Sequence, residues 1–396
     1  MKKIILKKGR EKSLLRRHPW IFSNSISDVL GDVVSGDLID IYDYKNQWLA
    51  KGSYSSSSQI RSRVWSFDSS ENIDQQFFLK KLKKAFNLRE SIKTNINSNA
   101  YRLIAAESDE LPGTIIDIYD NNVVVQFLWT GIERFKKELI DSLQTLLPKH
   151  HIYERSDASI RKKEELPLTK GLLSHQSDFS PRCEITENGV KINVDIENGH
   201  KTGFYIDQRE NRNIVSKYAD NKTVLNCFSY TAGFGLFAYK GNAKHITNID
   251  VSNLALDLAK KNFILNNYDT KKVDFINKDV FKALREYYNE GKKFDVIILD
   301  PPKFMESKKQ LNDAARGYKD INRLALSLIK PGGVLFTFSC SGLMPTELFQ
   351  KIISDSALDA GKEIKIIEKL SQSQDHPISG NFPEGFYLKG LACYVN

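Results

Sequence analysis

From about residue 190 onward the chain alternates short apolar runs with stretches of helical spacing, and this rhythm limits its fold more than any other feature. Thr223–Phe228, His245–Asp250, Val273–Asn277, Asp295–Asp300 and Val334–Cys340 read as strands. Helical stretches lie between them around 234–240, 252–266, 280–290, 311–329 and 345–360. In the second of these, Leu254, Ala255, Leu258, Ala259 and Leu265 fall on one face. Alternation of this kind predicts a parallel sheet with helices on both faces. Ile364–Lys369 and Tyr387–Val395 then close the chain as two strands with no comparable helix between them, a hairpin-like ending.

The first 70 or so residues have a different pattern. Gly36–Asp43, Trp48–Tyr54 and Ile60–Trp65 alternate apolar and polar positions, as half-buried strands do, and a serine run separates the last two. A middle segment follows. It holds a helix over Phe77–Ile92 with Phe78, Leu82, Ala85, Phe86 and Arg89 along one side, a hairpin over Thr114–Leu128, and a second helix over Phe135–Leu147 stopped by Pro148. The expected division is a β-barrel domain over 1–72, a small α+β domain over 73–187 and a Rossmann-like α/β domain over 188–396. A length of 396 residues accommodates three such domains. In the middle segment Arg155, Arg161, Lys162 and Lys163 read as surface or RNA-backbone contacts and not as catalysts.

Charge narrows the partner. The formal net charge is +9, and the opening stretch sets Lys2, Lys3, Lys7, Lys8, Arg10, Lys12, Arg16 and Arg17 against the single acid Glu11. Such an excess suits a polyphosphate partner, although it also serves as a solvated edge. No apolar run reaches the ~20 residues of a membrane helix, and the basic start lacks a signal peptide's apolar segment. A cytoplasmic protein with no membrane partner is expected. The four cysteines, at 183, 227, 340 and 393, make no CxxC pair, so neither a zinc site nor a disulfide framework is indicated and no metal is assigned.

In a doubly wound sheet the ligand sits beyond the carboxyl ends of the strands. After the first strand comes Ser229-Tyr230-Thr231-Ala232-Gly233-Phe234-Gly235, where small residues allow close approach. The loop is not G-x-G-x-x-G, which argues against a nicotinamide dehydrogenase. Asp250 ends the second strand, where a carboxylate can accept from ribose hydroxyls, and Asp279 follows the third, where it can accept from an adenine amino group. Either acid could instead cap a helix; together they point to an adenosine-containing cofactor. The fourth strand runs into Asp300-Pro301-Pro302-Lys303-Phe304, whose prolines restrict the backbone beside the acid. The fifth ends at Cys340, placing a thiol in the same crevice.

Gly199–Arg209, Asn226–Thr231, Asp300–Phe304 and Thr337–Met344 together resemble the bacterial family of large-subunit ribosomal RNA methyltransferases I, as do Arg316–Asn322 and Asp375-His376-Pro377. The resemblance covers essentially the whole chain. It implies an RNA-binding PUA domain, a central α+β domain and a class I methyltransferase domain, whose sheet ends in a hairpin-like strand pair. It also implies S-adenosylmethionine as cofactor and C5 of a cytosine in 23S ribosomal RNA as target. Asp207, Gln208 and Arg209 would belong to the segment covering the cofactor, and Asn226, Phe228, Tyr230, Thr231, Gly233, Asp250 and Asp279 would line its site. Phe234-Gly235 departs from the small or aliphatic residues expected there and puts the start of the following helix in doubt. RNA is the expected partner, and a homodimer is left open.

The chemistry implied is covalent. C5 of cytosine is a poor nucleophile until a thiolate adds at C6, and Cys340 is the expected nucleophile. Asp300 would engage the N3/N4 edge of the base, with Pro301, Pro302, Lys303 and Phe304 as substrate contacts and Phe304 as a stacking surface. The base must be unstacked to enter. No residue is assigned to remove the C5 proton. Two alternatives stay open: methylation of an exocyclic nitrogen, which needs no cysteine, and a non-catalytic RNA-binding factor with a vestigial methyltransferase fold.

Overall fold

The computed structural model describes residues 2–174 and 179–396. They form two compact units. One runs to Ile185 and takes in Val194–Ile206 and Gln374–Gly385; the other comprises Thr186–Asn193, Asp207–Ser373 and Phe386–Asn396.

The second unit carries the alternating pattern. Its strands are β1 (Thr223–Cys227), β2 (His245–Asp250), β3 (Val273–Asn277), β4 (Phe294–Leu299), β5 (Ile329–Ser339), β6 (Ile364–Ser371) and β7 (Lys389–Val395). Their order in the sheet is β3-β2-β1-β4-β5-β7-β6. The first five are parallel, while β7 runs antiparallel to both β5 and β6. Helices α1 (Arg209–Ser216), α2 (Gly233–Lys240), α3 (Asn253–Leu265), α4 (Val280–Asn289), α5 (Leu311–Leu328) and α6 (Thr346–Asp359) accompany the sheet. Strands covered on both faces read as unbroken apolar runs, and Val296, Ile297, Ile298 and Leu299 of β4 are all buried. Successive strands step away from β1 toward β3, then restart on its other side at β4. That reversal opens a crevice at the carboxyl ends of β1 and β4.

The buried face of α3 departs from the expected one. Ala255, Leu256, Ala259, Asn262 and Phe263 are inside, and Leu254 is 83% exposed. Asn262 turns the helix inward: its Oδ1 accepts the Asn193 N–H at 2.8 Å, so a polar position belongs to the packed stripe.

The first unit holds two larger sheets. The six strands between Lys3 and Ser66 enclose Ile4, Leu6, Ile21, Ile39, Ile41, Ala50 and Val64. A five-stranded sheet over Ala100–Leu172 packs with the helices Gln75–Ser91 and Lys136–Leu146 around Phe78, Leu82, Phe127, Trp129 and Leu139. The expected hairpin is present as Thr114–Tyr119 against Asn122–Phe127. Helix Gln75–Ser91 starts at its cap, Asp74, whose carboxylate accepts the Phe77 N–H at 3.0 Å.

Arg155 and Arg161 are not surface contacts. Both are buried: Arg155 donates to the carbonyls of Ile196 and Gly199, and Arg161 to those of Phe127 and Pro167 and to Glu133. A guanidinium's five donors can satisfy several loop carbonyls at once, and these two do so. Lys162 and Lys163 remain exposed. Among the described residues, no helix is long and apolar enough to cross a membrane.

Candidate active site at the switch point of the parallel sheet

The loop leaving β1 is built on strained backbone. Phe228, Tyr230 and Ala232 all have positive φ, at 58°, 49° and 60°. Each such non-glycine residue costs on the order of 1–3 kcal/mol and persists only where its surroundings enforce it. Here the enforcement comes from β2. Asp250 Oδ2 accepts the Tyr230 N–H at 2.8 Å, Asp250 Oδ1 accepts the Ser252 N–H at 2.9 Å, and the Ile249 carbonyl accepts the Ser229 N–H at 2.9 Å. Each carboxylate oxygen of Asp250 keeps a further lone pair for a ligand hydroxyl.

Helix α2 starts at Gly233, with Ala232 as its cap. Gly235 resolves the doubt about this start. A Cβ placed there would lie 2.4 Å from Asn248 Oδ1, so glycine is what lets α2 descend onto β2. The same Oδ1 accepts from Asn226 Nδ2 at 2.9 Å, while Phe234 rests against Phe338 of β5 with centroids 5.5 Å apart.

This loop also leaves polar atoms unused. Asn226 Oδ1, Ser229 Oγ and Thr231 Oγ1 are buried with no hydrogen-bond partner among the described residues. Buried polar groups are rarely left unpaired. Three around one strained turn fit a polar ligand such as the nucleoside and amino-acid parts of an adenosine-containing cofactor. Asp279 is more ordinary: its Oδ1 caps α4 through the Lys282 N–H at 3.0 Å, and its other oxygen faces outward on an exposed residue. Val251, 67% exposed beside Asp250, is an apolar surface at the same rim that the sequence reading missed.

The other wall carries Asp300 and Cys340, each one residue past its strand. Strands β4 and β5 pair Leu299 with Thr337, which puts the two tips side by side. Cys340 is half-buried, not entombed, and its Sγ donates to the Pro301 carbonyl at 3.9 Å. Desolvation and the nearby Asp207 push the Asp300 carboxyl up to about 7, against the Gln208 hydrogen bond and the Arg212 charge. Asp300 is therefore part protonated near neutrality and can donate or accept.

Gln208 touches Asp300 directly, with Nε2 donating to Oδ1 at 3.0 Å, and Asn211 holds the amide by donating to its Oε1 at 2.6 Å. Asp207 Oδ2 accepts from the Tyr387 hydroxyl at 2.7 Å, while its Oδ1 is buried without a partner among the described residues. Arg209 is fully buried. Of the residues after Asp300, Pro301 is buried, Pro302 and Lys303 are exposed, and Phe304 is half-buried against Tyr318 at 4.7 Å. Gly317 makes room for that ring, a Cβ there lying 3.3 Å from it. Asn211, Tyr387 and Lys389 went unrecognised because no local motif marks them; sheet register brings Lys389 to the crevice, and Tyr387 lies two residues before it.

The family described as S-adenosylmethionine-dependent methyltransferase matches residues 177–380, and a PUA-like domain matches residues 4–67. The chain is 58% identical over 389 residues to a ribosomal RNA large subunit methyltransferase I of Aeromonas salmonicida, covering 98% of each. A protein of the same name from Aliivibrio fischeri is 55% identical over 392 residues, covering 99% of each. Among solved structures, a protein of Streptococcus mutans assigned as a SAM-dependent methyltransferase aligns over the full length of both chains, with 22% identity and a TM-score of 0.86. A second solved methyltransferase-like chain, in complex with SAH, gives 22% and 0.87. At that identity the likeness carries the fold, an N-terminal PUA-like domain and a Rossmann-like methyltransferase sheet.

Proposed function

The chain belongs to the ribosomal RNA large subunit methyltransferase I family of S-adenosylmethionine-dependent methyltransferases, and from that premise we propose that it methylates C5 of a cytosine in 23S ribosomal RNA through a covalent adduct on Cys340. One observation supports this reading above the others: a partly accessible thiol at the tip of β5 lies beside a carboxyl of raised pKa at the tip of β4. An enzyme acting on an exocyclic nitrogen needs the carboxyl and no sulfur.

Bound S-adenosylmethionine supplies an electrophilic methyl group. Around it the chain's own residues divide the work. Asp250 offers its remaining lone pairs to ribose hydroxyls, Asp279 its outer oxygen to the adenine amino group, and Asn226, Ser229 and Thr231 their unused oxygens to the cofactor's polar atoms. Phe228, Tyr230 and Gly233 shape that side of the crevice, and Asp207, Gln208 and Arg209 close it. Pro301, Pro302 and Lys303 border the entering base. Phe304, tilted at 42° against Tyr318, offers it an aromatic surface.

The Cys340 thiolate attacks C6, and the electron pair of the C5–C6 bond moves into the ring. Asp300, carrying a proton near neutral pH, delivers it to N3 and so neutralises the charge that develops there. C5, now enamine-like, takes the methyl group; loss of the C5 proton and expulsion of the thiolate restore the C5–C6 double bond, and N3 returns its proton to Asp300, which leaves the neutral aromatic ring. The strands between Lys3 and Ser66 bind RNA in this reading, and the domains divide as 1–72, 73–187 and 188–396. A cytoplasmic reaction belongs to the same reading, since the substrate in it is ribosomal RNA.

Mass mapping of modified nucleosides tests the proposal. Large-subunit RNA from a strain lacking this protein is expected to miss one 5-methylcytidine, restored by the gene. Loss of an N-methylated purine instead would transfer the assignment to exocyclic nitrogen chemistry. An unchanged nucleoside map, with RNA binding intact, would support a non-catalytic factor.

A further inference from the structure

A cysteine thiol ionises with a pKa near 8.5 and is only a few per cent thiolate at neutral pH. The covalent route therefore calls for a cation close to Cys340, and the antiparallel end of the sheet brings one there. Lys389 opens β7 and pairs in register with Ser339, the residue before Cys340. Its side chain runs inward, and the residue is only 4% exposed. Nζ donates to the Ser341 carbonyl at 2.7 Å and to the Tyr387 carbonyl at 3.0 Å. The first of these acceptors belongs to the residue directly after Cys340. An ammonium has three donors; Nζ lies 5.5 Å from the centroid of the Phe386 ring, and the third donor meets no hydrogen-bond acceptor among the described residues. Nor, among them, does any carboxylate form an ion pair with it.

A buried charge without a counter-charge is expensive, and such groups are retained where a partner or a reaction needs them. We propose that Lys389 is a positioning residue that holds Cys340 as a thiolate, its ammonium fixed by the carbonyls of Ser341 and Tyr387 beside the strand tip that carries the sulfur. This rests on the reading of Cys340 as the nucleophile. The thiol proton leaves to solvent, the electron pair stays on Sγ and then forms the bond to C6, and Lys389 keeps all its protons throughout.

Five other titratable groups near this end of the sheet do not supply that charge. From α5, Tyr318 is buried and donates its hydroxyl to Ser339 Oγ at 2.9 Å. From the tip of β4, Asp300 is neutral or negative, and Asp207 beside it is a carboxyl as well. Arg212 is engaged bidentately by Glu187 at 2.6 and 2.8 Å. Lys303 is exposed to solvent and lies 4.0 Å from Glu306. Burial lowers the Lys389 ammonium to about 8, while the charge on Cys340 pulls it back up. The same attraction, seen from the sulfur, favours the thiolate.

The test is the pH profile of Cys340 alkylation by iodoacetamide in the full-length protein, read by peptide mass at Cys340. The wild-type midpoint is expected below the ordinary thiol value. In Lys389→Met it is expected to rise by about one pH unit or more, which is about tenfold slower alkylation at pH 7. Lys389→Arg, keeping the charge, should stay close to wild type. An unmoved midpoint in a folded Lys389→Met protein overturns the proposal. Should that variant fail to fold, a wild-type midpoint at or above 8.5 overturns it alone. The readout involves no methyl transfer. A shifted midpoint in a protein that makes no 5-methylcytidine sustains the Lys389–Cys340 coupling while the proposed function falls. An unmoved midpoint in an enzyme that does make it sinks the coupling alone.

Discussion

The Gln208 side chain donates from Nε2 to Asp300 Oδ1 at 3.0 Å while its Oε1 accepts from Asn211 at 2.6 Å. The amide is held from both sides, so one oxygen of Asp300 always meets a donor. That bond favours the carboxylate, and desolvation beside Asp207 favours the acid; the balance leaves the group near 7.

The balance fixes a pH dependence. If protonated Asp300 serves N3, turnover falls as pH rises through about 7. Gln208→Met removes the bond that favours the ionised form, so the descending limb of the kcat profile should move to higher pH. A limb that stays in place would separate Asp300 from the rate-limiting protonation. The stability consequence has the opposite use. A carboxyl whose folded pKa exceeds its unfolded value binds a proton in the native state that the unfolded chain has released, so stability declines as pH rises from about 4 to about 7. Asp300→Asn should therefore stabilise the protein by at most about 4 kcal/mol above pH 7 and hardly at all below pH 4, read by urea unfolding at the two pH values.

Cys340→Ala should abolish 5-methylcytidine formation while leaving S-adenosylmethionine affinity within a factor of about two, because the sulfur follows β5, two strands away from β1 in the sheet. RNA carrying 5-fluorocytidine at the target offers a direct view. Fluorine at C5 cannot leave as a proton, so the wild-type protein should accumulate a complex stable to denaturing gel electrophoresis, and the alanine variant should not. Full turnover by Cys340→Ala would end the covalent reading.

The legible parts of the sequence were those set by local pattern. The rhythm of β1 to β5 placed Asp250, Asp300 and Cys340 at strand ends, since each strand is short, apolar and buried on both faces. What could not be read depends on register and on polar residues used as packing. Lys389 reaches the crevice only because β7 pairs antiparallel with β5, a relation between segments 50 residues apart that no motif encodes. Asn262 and Arg161 look like surface residues in a hydropathy pattern, and both are buried because backbone groups of other segments need their hydrogen bonds. The exposed position of Leu254 follows from the first of these.

Gly235→Ala tests the close approach of α2 to β2. The added carbon would lie 2.4 Å from Asn248 Oδ1, an atom already committed to Asn226. Either the helix lifts or the amide pair breaks, at a cost of about 1–3 kcal/mol in unfolding free energy. The positive-φ residues of the turn hang from the same helix start, so S-adenosylmethionine affinity should fall about tenfold or more by calorimetry. Unchanged affinity in a destabilised protein would show that the turn keeps its shape independently of α2.

The eight cations near the amino terminus should not contribute equally to RNA binding. Lys2 is 2.5 Å from Asp37, a buried carboxylate held below its usual range chiefly by the Lys2 hydrogen bond against desolvation. Arg17 lies over the Phe67 ring at 4.6 Å. Arg10 and Lys12 are exposed and border a hollow of about 470 Å³ shared with Phe22, Asn24 and Gln59. Cations that neutralise phosphates release counterions, and each contributes about 0.7 to the slope of log K against log salt for single strands, or about 0.9 for duplex. The double variant Arg10→Ala/Lys12→Ala should therefore lower the slope by about 1.4 to 1.8 in filter-binding titrations. Lys2→Ala should barely change it, since that ammonium already has its counter-charge. Equal losses from both variants would mean that a diffuse field, and not the Arg10–Lys12 edge, meets the RNA.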